Sequence, residues 1–147
     1  MMKESELFKA LADDTRLRVL NLLLSADTGL CVCEVADALK LPQYQVSRHM
    51  HILRIAGLVC ADRQGTWAYY ALYTGQREKA KLFAYLREFL TKEPFKSDRA
   101  SLGLRLSLRV GGKCVVGFAP RESSRSSTLN LQAKKSAFNQ NSYKEWI

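Results

Sequence analysis

Two thiols one residue apart, Cys31 and Cys33, are the side chains of this chain best suited to holding a soft ion. Thiolates select thiophilic metals and metalloids over hard cations. The spacing has a mechanical consequence. In a regular α-helix, positions i and i+2 lie about 200° apart around the axis, so the two side chains point away from each other. Both sulfurs can grip one ion only where the backbone is extended or can locally unwind. The pair stands just before a helix-turn-helix pattern, so a ligand there would pull on the first turn of that motif. Such a pull is what a sensor needs.

The elements that must position these thiols follow from periodicity. Leu7, Phe8, Leu11 and Ala12 give a short amphipathic helix. Asp13 and Asp14 can cap a second, with Leu17, Val19, Leu20, Leu23 and Leu24 as a broad apolar face and Asp27-Thr28-Gly29 as its break. Residues 34–40 read as a short helix with Val35, Ala36 and Leu39 inward. Leu41-Pro42 makes the turn into a helix over about 43–56, whose Val46, Met50 and Leu53 share one face and whose stop is Gly57. Two β-prone stretches, 58–63 and 66–72, flank Gln64-Gly65 and predict a hairpin. A last long helix over 75–92 carries Ala80, Phe83, Leu86, Phe89 and Leu90, ending before Pro94. This order is that of a winged helix-turn-helix: mainly α, with a β-hairpin wing.

Beyond Lys96 the pattern is ambiguous. Leu102, Leu104, Leu106, Leu108 and Val110 alternate as a strand would, yet Leu102, Leu106 and Val110 also fit a helix, against which Gly103 argues mildly. Gly111-Gly112 ends that element. The expected organisation is a winged helix-turn-helix DNA-binding domain over 1–95, an extension over 96–120, and a disordered basic tail over 121–147.

Charge qualifies the reading. The formal net charge is +9, but residues 1–95 hold 13 Lys/Arg against 11 Asp/Glu, and residues 96–147 hold 10 against 3. Most of the excess lies in the tail, so the global charge is weak support for nucleic-acid binding by the folded part. No apolar run reaches 18 residues, and the start lacks signal-peptide character, so a cytoplasmic protein is expected. Four cysteines in that compartment are reduced thiols or metal ligands rather than structural disulfides.

The chain resembles the ArsR/SmtB family of metal-responsive repressors. The resemblance rests on Phe8-Lys9-Ala10-Leu11-Ala12-Asp13-Asp14-Thr15-Arg16-Leu17-Arg18-Val19-Leu20, on Val46-Ser47-Arg48-His49-Met50 with Leu53 and Ala56-Gly57-Leu58-Val59, and on Arg63, Gly65 and Tyr70. It covers about residues 5–92. It implies a homodimer built on the first and last helices, and a repressor that leaves its operator when metal binds. Cys31-Val32-Cys33 matches the Cys-Val-Cys box of the arsenic-responsive members. The position of that box's third cysteine is held here by Ala36, and Cys114 is the best substitute, with Cys60 behind it. As(III) and Sb(III) suit three thiolates in a pyramidal site. The family's zinc site needs histidine on the last helix, and residues 75–92 have none; its cadmium pattern needs an N-terminal cysteine, and residues 1–30 have none.

The polar side of the 43–56 helix presents Gln43, Tyr44, Gln45, Ser47, Arg48 and His51 to operator DNA, while His49 lies nearer the buried edge. Gln can pair with adenine edges, Arg with guanine or phosphate, and hydroxyls with phosphate. Arg63, Gln64 and Gly65 at the wing tip are placed for the adjacent minor groove. The expectation is a metalloid-responsive repressor in which an ion on Cys31, Cys33 and Cys114 distorts the 34–40 helix and re-aims the next. The alternative within the same fold is a redox or polysulfide switch linking Cys114 to Cys31 or Cys33. A thiol enzyme such as a small arsenate reductase is disfavoured, since neither a phosphate-type loop nor a Cys-x-x-Cys pair is present.

Overall fold

The computed structural model describes residues 4–114. Helix α1 (Glu4–Leu11) leads into α2 (Asp14–Ser25), followed by β1 (Leu30–Cys31), α3 (Val32–Leu39) and α4 (Gln43–Ile55). The wing is β2 (Val59–Gln64) and β3 (Trp67–Leu72), and two further helices, α5 (Arg77–Phe89) and α6 (Phe95–Leu106), follow. The winged helix-turn-helix expected from periodicity is therefore present.

Local chemistry sets the boundaries. The Asp13 carboxylate accepts from the Arg16 amide at 2.9 Å and starts α2. Gly57, at φ +72°, ends α4: its amide donates to the Arg54 carbonyl and the Leu58 amide to the Leu53 carbonyl, a Schellman motif. The turn between α3 and α4 closes the same way, with the Leu41 amide donating to the Ala36 carbonyl across a left-handed Lys40 at φ +56°. The main core joins the helices to the base of the wing, and a second, smaller cluster gathers Cys31, Cys33, Tyr69 and Cys114. Val19, Leu20 and Leu22 of α2 meet Val35 of α3, Val46, Met50 and Leu53 of α4, Leu58, and Phe83 of α5. Each such side chain contributes about 1.5–3 kcal/mol when removed from water.

Several features depart from the sequence reading. First, α3 begins at Val32 rather than at residue 34, which puts Cys33 inside its first turn while Cys31 stays extended at φ −85°, ψ 157°. Second, Leu30–Cys31 forms a short strand that pairs antiparallel with β3, opposite Tyr70 and Tyr69, so the sheet has the order β1-β3-β2. Two residues are too few to show alternation. Third, residues 95–106 resolve to a helix. Asp98, Leu102 and Arg105 are its buried positions, with Leu106 packed against the core and Leu104 outside. Polar ties decide what the leucine pattern left open. Arg18 of α2 grips Asp98 with both ends of its guanidinium at 2.7 and 2.8 Å, and Arg99 donates to the Asn21 side chain and the Leu90 carbonyl. Phe89, expected on the apolar face of α5, is exposed and stacks on Tyr85 at 5.7 Å. The tail expected over 121–147 and the last part of the expected extension, residues 115–120, lie outside the described residues.

Candidate metal centre and nucleic-acid interface

Cys31 closes β1 and caps α3, so its side chain leaves from extended backbone; Cys33 leaves from the first helical turn. This junction of strand and helix defeats the opposed geometry of a regular helix, and the two sulfurs stand 2.8 Å apart. The third thiol arrives from 81 residues away in sequence: Cys114 Sγ lies 3.5 Å from Cys33 Sγ. All three sulfurs are buried and lie within 4.8 Å of one another. Sulfur–metal bonds of about 2.3 Å can span such a cluster. Cys60 stays out of it, half-buried on β2 with its thiol donating to the Ala71 carbonyl at 3.6 Å.

The return of Cys114 depends on a turn. Gly111 and Gly112 both take positive φ, 63° and 76°, between Val110 and Lys113, which exchange backbone hydrogen bonds at 2.9 and 3.3 Å. Two consecutive left-handed residues make the chain reverse tightly, which glycine does at no steric cost. Around the thiols sit two ion pairs, one buried on both sides and one with a half-buried carboxylate. Glu34 is fully buried; its Oε1 accepts from the Cys31 amide at 3.1 Å, and both its oxygens accept from Arg109 at 2.6 Å. Arg105 donates to Asp37 at 2.6 Å and approaches Cys114 Sγ at 3.9 Å.

Cys31 and Cys33 are held neutral. Burial pushes the Cys31 thiol well up from its ordinary range, helped by contacts with the other two cysteines and by the Glu34 charge. Cys33 is pushed up to about 12, first by its contact with Cys114. A site of this kind favours a ligand that leaves no net charge behind, because an uncompensated charge in a buried cluster is costly.

Of the residues expected to face DNA, Gln43, Tyr44, Arg48, His51, Arg63 and Gly65 are exposed, and Tyr44 is 74% so. Gln45 and Ser47 are half-buried. Gln64 is too, and its amide donates to Asp62 at 2.7 Å. His49 is buried. Gly65, at φ +60°, forms the wing turn. A cleft of about 210 Å³ joins the two regions, lined by Cys31 and Cys33 together with Gln43 and Ser47 of α4 and Arg63 and Trp67 of the wing. Sequence reasoning missed Glu34, Arg105 and Arg109. The visible signal for the arginines was a pair of cations four residues apart inside the leucine-rich 102–110 stretch.

The family model described as "Bacterial regulatory protein, arsR family" matches residues 13–60. An uncharacterized HTH-type transcriptional regulator, MJ1325 of Methanocaldococcus jannaschii, is 49% identical over 68 residues, covering 46% of this chain and 75% of that protein. The arsenical resistance operon repressor of Escherichia coli is 48% identical over 67 residues, covering 46% of this chain and 56% of its own length. The arsenic resistance transcriptional regulator ArsR1 of Pseudomonas putida is 50% identical over 66 residues, 45% of this chain and 51% of that one. The chain thus spans about half the length of these two arsenic regulators. Among solved structures, the homodimeric winged helix-turn-helix DNA-binding domain of Mycobacterium bovis Mb0332 is 32% identical at a TM-score of 0.50, over 58% of this chain and 75% of that one. Reduced HlyU of Vibrio cholerae is 28% identical at a TM-score of 0.50, over 60% and 88%. Fold, motif and relatives agree: the chain belongs to the arsR family of bacterial regulatory proteins, as a winged helix-turn-helix transcriptional regulator.

Proposed function

We propose that this regulator represses as a homodimer on operator DNA and lets go when As(III) or Sb(III) is bound by Cys31, Cys33 and Cys114. The observation that carries the reading is the convergence of three buried thiols from segments far apart in sequence. Arsenous acid condenses with three thiols to give a neutral tris-thiolate and three waters, so no charge is left in the cluster. A divalent ion on the same three thiolates would leave a net negative charge there. The resemblance of 66–67 residues to arsenic regulators supports the same choice.

Release follows from where the sulfurs are anchored. Cys31 and Cys33 lie on opposite sides of the β1–α3 junction, and drawing their sulfurs and Cys114 around one centre moves the start of α3. Helix α3 packs on α4 through the shared core, so Gln43, Tyr44, Gln45, Ser47, Arg48 and His51 move with it. Two α4 helices in a dimer must meet major grooves about 34 Å apart, so a small rotation of each removes contacts on both half-sites. A coupling of about 1–3 kcal/mol is typical for such an effect. Exposed Phe8 on α1 and stacked Tyr85 and Phe89 on α5 provide an apolar surface for the partner copy.

The second reading, a thiol redox or polysulfide switch, draws on the 3.5 Å approach of Cys33 and Cys114. Gel shifts on a palindromic operator with arsenite, antimonite, cadmium, zinc and peroxide separate the two. Release by arsenite and antimonite under reducing conditions supports the metalloid reading; release by peroxide alone replaces it with the redox one.

A further inference from the structure

Cys114 stands in for a ligand that the Ala36 position cannot supply, and something must bring it to α3. Between the end of α6 at Leu106 and Cys114, the side chain of Arg109 reaches back into the body of the protein. Its guanidinium donates to both oxygens of Glu34 at 2.6 Å, to the Gly29 carbonyl at 2.7 Å and to the Gly112 carbonyl at 3.2 Å. One planar group therefore ties together the loop before β1, the cap of α3 and the turn that delivers Cys114. Glu34 in turn accepts from the amide of Cys31. The side chains of Arg109 and Glu34 are 6% and 0% exposed, and the guanidinium also lies 5.9 Å from the ring centre of Tyr69, the residue paired with Cys31.

We infer that Arg109 is the positioning residue of the site: its fork onto Glu34 latches the 107–114 segment against α3 and makes the centre a three-thiol rather than a two-thiol one. The inference rests on the three-thiol reading above. Without the latch, Cys114 rides on a segment tethered at the end of α6, and its effective concentration at Cys31 and Cys33 falls. The inorganic metalloid, which needs three sulfurs, loses by this. A monoaryl arsenical, whose carbon already fills one coordination position, needs only the Cys31–Cys33 pair and does not.

The test measures affinity of the full chain for arsenite and for phenylarsine oxide in wild type, Cys114→Ser, Arg109→Ala, and the paired variant Arg109→Met/Glu34→Gln. The paired variant removes both charges together, so no buried charge is stranded if Arg109→Ala alone folds poorly. Either Arg109 variant should weaken arsenite by about 10–100-fold, the usual loss when a ligand's support is removed, Cys114→Ser by at least as much, and all should leave phenylarsine oxide unchanged. Adding an Arg109 change to Cys114→Ser should cost nothing more, because the latch then has no ligand to deliver. If Cys114→Ser weakens arsenite but the Arg109 variants do not, the latch is wrong and the three-thiol site stands. Equal weakening of both arsenicals in the paired variant also overturns the latch, since Arg109 then only supports the fold. If Cys114→Ser binds arsenite as wild type does, the three-thiol reading falls first.

Discussion

The surface proposed to face DNA and the thiol cluster lie on the two sides of one cleft, yet they are built on opposite principles. The face of α4 and the wing tip is open, polar and local: its residues come from 43–51 and 63–65, and water satisfies them when nothing else does. The cluster is closed and non-local, with three thiols and two ion pairs drawn from 31–37 and 105–114. The difference sets what a substitution can do. On the open side a change alters contacts with a partner and little else. On the closed side it alters the protein first and the ligand second.

The sharpest way to break that contrast is to strand a buried charge. Glu34→Ala leaves the Arg109 guanidinium buried without its carboxylate, and should destabilise the protein by about 3–5 kcal/mol in urea unfolding. A loss below about 1 kcal/mol would mean that the cluster is as solvent-tolerant as the DNA face. Next comes the open side. Arg48→Ala should weaken operator binding by about 1–3 kcal/mol in a gel shift, with unfolding midpoint and arsenite affinity unchanged. Loss of arsenite affinity in that variant would merge two regions that are held here to be separable. The smallest effect belongs to Cys60→Ala, a thiol on the same sheet but outside the cluster. It should leave arsenite stoichiometry at wild type and shift stability by about 1 kcal/mol or less.

The same contrast explains what could be read from the chain. Local periodicity was enough for α2, α4 and the hairpin, and the polar arc of α4 needed only helical geometry. Cys31 and Cys33 were legible because they are neighbours, and Cys114 through the gap at Ala36. Their latch was not. Glu34 read as an ordinary acidic residue in a first helical turn, and Arg109 as one more cation of a basic C-terminal half. Only the packing of α6 along α3 brings them together, across 75 residues. Helix α6 was ambiguous for the same reason: Arg18–Asp98 and Arg99–Asn21 fix it, and neither pair leaves a periodic trace.

The most direct measurement is an arsenite titration of the preformed operator complex, with bound DNA and bound arsenic followed together, for wild type and Cys33→Ser. Wild type should leave the operator as one arsenic binds per protomer, while Cys33→Ser holds the operator with unchanged affinity at every concentration. Wild type that takes up its full complement of arsenic and stays on DNA, or a Cys33→Ser protein released as readily as wild type, would contradict the link between the thiol cluster and the helix in the groove.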